Sequence, residues 1–182
     1  GRAFAMESLA ERFVIESRVG TGGTAEVFRG VDLRTKRVVA IKRIRSDYSD
    51  RVARARFERE ARILAGLDVP HVVGYVAHGH DAQRRFCLVT EWLEGETVEK
   101  LLARGLPGDW TALQILYEAA LGLTALHEVG VIHRDVKPGN LFLATAEGGA
   151  LVKIIDLGIA LADGDLSLTA HNTVVGSPVY IS

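Results

Sequence analysis

The hydrophobic period changes near the middle of the chain, and this limits the possible folds more than any other feature. Before "EWLEGE" (91–96) apolar and polar residues largely alternate. "FVIESRVG", "AEVFRGVD" and the strongly apolar "KRVVAIKRI" read as three antiparallel strands, and "VVGYVAHG" and "RFCLVTEWL" as two more. One helix interrupts them: after the capping-rich "SDYSD", Arg51 to Ala65 places Phe57, Ala61 and Leu64 at i, i+4 and i+7, and Gly66 closes it. From Glu96 onward Leu113, Leu116, Ala120, Leu123 and His127 recur at spacings of three and four. This predicts a long core-facing helix from Asp109 to Val129 with Asp109 as its N-cap. The short strands "NLFLA" and "VKIIDLG" follow. A strand-rich front and a helix-led back make an α+β chain of two lobes with a cleft between them.

Composition removes several classes of function. With 182 residues, 48% hydrophobic content and a formal net charge of -1, the chain can bury one or two modest cores and offers no basic face to nucleic acid or a membrane surface. Arginines cluster from Arg43 to Arg62 but are interleaved with acids, so a solvated helix face is expected there. The single Cys87, in "FCLVT", is expected to be a buried, reduced thiol, which implies a reducing compartment. No run approaches the roughly 18 apolar residues of a membrane span, and "GRAFAMESLAERF" lacks the apolar core of a signal peptide. A cytoplasmic location is expected. The start at Gly1, with the only methionine at Met6, reads as an N-terminus that is processed, tagged or cut from something longer. His78 and His80, with His71 nearby, have no cysteine or carboxylate cluster in register, so a loop histidine pair is expected rather than a metal site. His133 reads as a packed, hydrogen-bonded core histidine.

"VGTGGTAEVFRG" (19–30) holds four glycines, and the glycine count alone does not separate a phosphate-cradling flap from a flexible turn. A Rossmann turn opens a helix, whereas Glu26 to Val31 continues as a strand. No Gly-Lys-Ser/Thr follows, so it is not a Walker loop either. A flap between antiparallel strands remains, in which Gly20 and Gly22 allow backbone amides to approach phosphate oxygens. Downstream, "VAIK" ends an apolar strand on Lys42, which needs an anion unless its tip snorkels to water. Glu60, on the helix from Arg51, is able to supply that anion. "VIHRDVKPGNLFL", with "VKIIDLG" beyond it, gathers Asp135, Lys137, Asn140 and Asp156 around two short apolar strands. This is a set suited to magnesium, phosphate and one substrate hydroxyl.

"GTGGTAEV", "VAIK", "HRDVKPGN" and "DLG" stand in the order and with the separations of the protein kinases, which this chain resembles. The wording is most similar to the bacterial serine/threonine branch. The resemblance implies ATP and Mg²⁺ as cofactors and serine or threonine hydroxyls of proteins as substrates. It assigns Gly20 and Gly22 to the triphosphate, and Val19, Val27 and Ala40 to the roof over the adenine. Lys42 falls to the α- and β-phosphates, paired with Glu60. Thr90 takes the gatekeeper position, the backbone of Glu91 and Leu93 meets the adenine edge, and Phe142 is its floor; side chains at the edge matter mainly for shape. Asp135 orients the attacking hydroxyl, Lys137 neutralises charge on the moving phosphoryl group, and Asn140 and Asp156 hold the metal. Lys137 and Ser177 follow the serine/threonine pattern. Arg134, before Asp135, marks the type whose activation segment is ordered by phosphate, with Thr169 and Thr173 favoured over Ser167 as acceptors.

The implied organisation is an N-terminal extension (1–12), an N-lobe (13–90), a hinge (91–95) and a partial C-lobe (96–182). Ala25 stands at the third glycine position, and Leu157 replaces the phenylalanine after the metal-binding aspartate, as a plug against Leu64 and His133. The sequence stops at Ser182, before the Pro-Glu and helices usual in the family. An exposed apolar patch on the Asp109 helix and poor phosphate transfer by residues 1–182 alone are therefore expected. The alternative is a nucleotide-binding pseudokinase or scaffold module, against which the presence of Lys42, Asp135 and Asp156 weighs.

Overall fold

The computed structural model describes residues 9–22, 25–45 and 51–157. Thr169, Thr173, Ser167 and Ser177 lie outside them. A short helix, α1 (Leu9–Arg12), leads into strands β1 (Phe13–Thr21), β2 (Ala25–Asp32) and β3 (Val38–Ile44). Helix α2 (Arg51–Ala65) follows, then β4 (Tyr75–His80) and β5 (Phe86–Glu91). The five strands form one antiparallel sheet in the order β1-β2-β3-β5-β4. The central strands β2, β3 and β5 are apolar on both faces because both faces are covered there. Val27, Ala40 and Leu88 point to the α2 side, where Phe57, Ala61 and Leu64 meet them in one core cluster. Their neighbours Phe28, Ile41, Cys87 and Val89 form a second cluster on the other face, capped by Leu9 of α1. Cys87 is buried, and burial pushes its thiol up to about 12.

The edge of this sheet is locked by a buried carboxylate. Asp32 accepts two bonds from Arg12, at 3.1 Å from Nε and 2.8 Å from Nη2. It accepts two more from the Arg34 amide (3.0 Å) and the Thr35 hydroxyl (3.1 Å). These donors, led by Arg12, hold its carboxyl far below the usual range.

The second lobe contains β6 (Gly95–Thr97), α3 (Val98–Ala103), α4 (Asp109–Glu128), a 3₁₀ turn at Pro138–Asn140, β7 (Leu141–Ala146) and β8 (Gly149–Ile154). Strands β6, β7 and β8 make a separate antiparallel sheet. The lobes are stitched by backbone: Ile154 donates to the His71 carbonyl (2.9 Å), and Val73 donates to Ile154 (2.9 Å). Helix α4 lies against this seam at Gly122, where a Cβ would stand 2.7 Å from the His71 carbonyl oxygen. A side chain there would force the helix off the seam.

Several expectations need correction. The N-cap of α4 is Gly108, not Asp109, which is the first helical residue. The buried face of α4 is Ile115, Ala119, Gly122 and Leu126, whereas Leu113, Leu116, Ala120 and His127 are exposed. Because α4 is apolar nearly all round, its spacing does not select a face; the small residues that permit close approach do. "VKIIDLG" is only partly strand, since β8 ends at Ile154 and Asp156 follows in irregular backbone. Arg43 belongs to β3 rather than a solvated helix face, with its guanidinium over the Phe28 ring (4.2 Å) and bonded to Glu26 (3.1 Å). His78 and His80 are on β4, not in a loop; His78 bonds the Tyr75 hydroxyl and His80 stacks edge-on with Phe86. Strand β6 and helix α3 are elements with no clear periodic signal. Among the described residues no helix is long and apolar enough to cross a membrane.

Candidate active site

Parity along β3 explains the central cation. Ala40, Lys42 and Ile44 share one strand face, so the side chain of Lys42 is delivered to the α2 side of the sheet along with its apolar neighbours. There its Nζ lies 3.4 Å from Glu60 Oε2, 3.2 Å from Asp156 Oδ2 and 4.8 Å from the Phe57 ring centroid. Glu60 comes from the buried stripe of α2, and Asp156 from the segment after β8. Only 12% of the Lys42 side chain is accessible, so it does not snorkel. One ammonium thus faces two carboxylates. Burial pushes the Glu60 carboxyl upward and Asp156 adds to this, while Lys42 and a hydrogen bond with the Leu157 backbone oppose it.

Residues 131–137 run without regular structure and are held by side chains. Lys137 Nζ is 2.7 Å from Asp135 Oδ2. The Asn140 amide donates to the same oxygen (3.2 Å) and to the Asp135 carbonyl (2.9 Å). Asn140 is buried, and its own carbonyl accepts the Ile155 N–H (3.1 Å), which ties this loop to the segment carrying Asp156. His133 adds a second tie: Nδ1 accepts the Asp135 N–H (3.2 Å) and the ring also bonds the Asp156 backbone. Burial pulls the His133 pKa down, and an accepting Nδ1 fixes the neutral ring with its proton on Nε2. Between them Arg134 takes a left-handed φ of 63°, a conformation sustained only when its surroundings impose it. Leu157, almost wholly inaccessible, joins Leu64 in the core.

The apolar residues assigned to the adenine also come together. Val27, Ala40, Leu93 and Phe142 belong to one core cluster, Val19 packs on it half-buried, and Thr90 is buried beside them. Gly20 pairs with Val27 across the β1–β2 ladder, and Gly22 donates to the Ala25 carbonyl (2.8 Å). Gly20 therefore lies within β1, one residue before its end, and Gly22 just beyond it.

Glu91 differs from its expectation, because its side chain does more than fill space. Its Oε1 accepts the Gly74 N–H (2.7 Å) and is 2.6 Å from Lys153 Nζ, while its own N–H donates to the Gly74 carbonyl (2.8 Å). Lys153 was passed over by sequence reasoning, although the buried Val152 and Ile154 on either side place it on the opposite face of β8. Glu91 and Lys153 also line a cavity of about 440 Å³ with Pro70, Gly74 and Tyr75; Lys42, Asp135 and Asp156 are not among its walls. Among the described residues no group of three His, Cys, Asp or Glu side chains is placed to hold a metal ion by itself.

A family model described as protein kinase domain matches residues 13–182. The chain is 37% identical over 175 residues to serine/threonine-protein kinase pkn2 of Myxococcus xanthus, covering 94% of this chain and 21% of that protein. It is 36% identical to a probable serine/threonine-protein kinase PknB of Lactococcus lactis, covering 95% and 27%, respectively. It is 35% identical to serine/threonine-protein kinase PknL of Mycobacterium tuberculosis, covering 96% and 43%. The chain thus spans less than half the length of each of these relatives.

Proposed function

The chain belongs to the protein kinase family, and on that premise we propose that it transfers the γ-phosphate of ATP, with Mg²⁺, to serine and threonine hydroxyls of protein substrates. The observation that carries this reading is Lys42 held between Glu60 and Asp156. A phosphate-binding ammonium is thereby pre-positioned, with two carboxylates converging on it. The donor set fits Mg²⁺: a carboxylate from Asp156 and an amide oxygen from Asn140 are hard ligands, and their small number accords with an ion that shares its shell with phosphate oxygens and water. When bound, the ion neutralises phosphate charge.

The chain's own groups do the rest by position and charge. Asp135 accepts the hydrogen bond of the attacking hydroxyl and receives its proton, and Lys137, 2.7 Å away, stabilises the moving phosphoryl group. Gly20 and Gly22 lie over the triphosphate. Lys42 binds its α- and β-phosphates, oriented by Glu60. The adenine lies between Val19, Val27 and Ala40 above and Phe142 below, with Thr90 at its inner end. Its edge meets the Glu91 carbonyl and the Leu93 N–H, since the Glu91 N–H is already given to Gly74. The working units are the N-lobe (13–90), the hinge (91–95) and the C-lobe portion (96–182), acting in the ATP-supplied cytoplasm. Phosphate on Thr169 or Thr173, paired with Arg134, orders the activation segment.

Asp135→Asn tests the reading directly. Incorporation of labelled phosphate from ATP into a generic protein substrate should fall by about 10²- to 10⁴-fold without loss of nucleotide binding. Equal incorporation by the variant and its parent would sink it.

A further inference from the structure

We infer that Glu91 and Lys153 act as positioning residues that set the width of the adenine slot from outside it; this rests on the kinase reading above. Glu91 directly follows the buried Thr90 and opens the segment whose backbone is assigned to the adenine edge. Lys153 stands opposite Phe142, the assigned floor, in the β7–β8 register. The two residues therefore belong to two different walls of the slot, and their 2.6 Å ion pair joins those walls. Gly74 completes the joint. Both of its backbone polar atoms close on Glu91, and a Cβ at Gly74 would stand 3.1 Å from Glu91 Oε1. Gly74 in turn follows Val73, whose N–H is bonded to Ile154 on the same strand as Lys153. The result is a closed ring of ties running from the edge segment to Gly74, Val73, β8 and back through Lys153.

Within this ring the Lys153 side chain is largely buried, at 14% accessible, so its ammonium is held where Glu91 is the carboxylate at hand. Neither side chain contacts Asp135, Lys137, Asn140 or Asp156 in the bonds described above. The effect of the pair falls on nucleotide affinity and not on the phosphoryl-transfer step.

The experiment measures steady-state phosphorylation with varied ATP in the purified protein and in Lys153→Met, Lys153→Arg, Glu91→Gln and the Glu91→Gln/Lys153→Met double variant. Lys153→Met is expected to raise KM for ATP about fivefold, with kcat within about twofold of the parent. Lys153→Arg, which keeps the charge, should retain the parental KM. The double variant should be no worse than the more affected single, because both changes break one tie. A role in folding alone would instead lower the amount of active enzyme and leave KM unchanged. Unchanged KM in Lys153→Met, a full loss in Lys153→Arg or additive effects in the double variant each overturn the inference. Asp135→Asn run in parallel separates the levels. Parental phosphorylation that persists in that variant removes the kinase reading and the inference with it, whereas an Asp135-dependent parent with an unmoved KM removes the inference alone.

Discussion

Two carboxylates of the N-lobe, Asp32 and Glu60, are both buried and both face a cation, yet their affinities for a proton move in opposite directions. Asp32 is enclosed at the sheet edge by Arg12, Thr35 and the Arg34 amide, four donor bonds on one acidic group. Glu60 lies in the core and shares the single ammonium of Lys42 with Asp156. The first arrangement is electrostatically complete. In the second, two carboxylates converge on one ammonium, a cost to stability that is understandable if the site receives the metal ion and phosphates proposed for it. Donors gather around the one carboxylate, and carboxylates gather around the one ammonium.

The sharpest way to break this contrast is to remove one member of each arrangement in turn. Lys42→Met is expected to reduce phosphate transfer by about 10²-fold or more, read as labelled phosphate incorporation, while the protein stays folded. Asp32→Ala should do the reverse. It is expected to cost about 2–4 kcal/mol of stability in urea unfolding, because it removes the acceptor shared by Arg12, the Arg34 amide and the Thr35 hydroxyl, with kcat per folded molecule unchanged. An Asp32→Ala variant as stable as its parent would remove the distinction.

The smallest effect is in pH dependence, at most about 1.4 kcal/mol per pH unit for one group. Asp32 is depressed from 3.8, so its stabilisation is present above that value and fades as pH falls below it. Glu60 is raised from 4.5, so the folded protein holds the extra proton and stability falls as pH rises above that value. Lys42→Met deepens this second slope by removing the group that opposes it. Relative to the parent's curve, Asp32→Ala should therefore lose slope on the acid side and converge with the parent as Asp32 is protonated, whereas Lys42→Met should fall more steeply on the side above 4.5. Parallel curves would show that the two carboxylates are not distinguished in this way.

Much of this arrangement was legible from the residues. Alternation located the strands of the first sheet, and Phe57, Ala61 and Leu64 fixed both α2 and the face that carries Glu60 beside them. Lys42 could be placed because an ammonium at the end of an apolar strand demands a counter-charge. The unread parts share a physical cause, which is that local pattern does not report on distant partners. The buried face of α4 is chosen by the close approach of Gly122 to His71, not by hydrophobic spacing. Glu91 looked like a residue whose backbone alone mattered, because Lys153 lies 62 residues away in sequence. Arg43 was assigned to a solvated surface because neither Phe28 nor Glu26 announces itself as its partner.

The backbone stitch between residues 71–73 and β8 has a mechanical consequence for α2. The helix ends at Ala65, close before this fixed point, so were it to tilt, its C-terminal end would be the fulcrum and its first residue the tip of a lever. At 1.5 Å per residue, Glu60 lies roughly 7–8 Å from that fulcrum and Arg51 roughly 21 Å. A tilt of about 10° would then carry Arg51 nearly 4 Å but Glu60 only about 1.3 Å, a displacement sufficient to break a 3.4 Å contact with Lys42. Any force applied near Arg51 is geared down to the scale on which a hydrogen bond is made or lost.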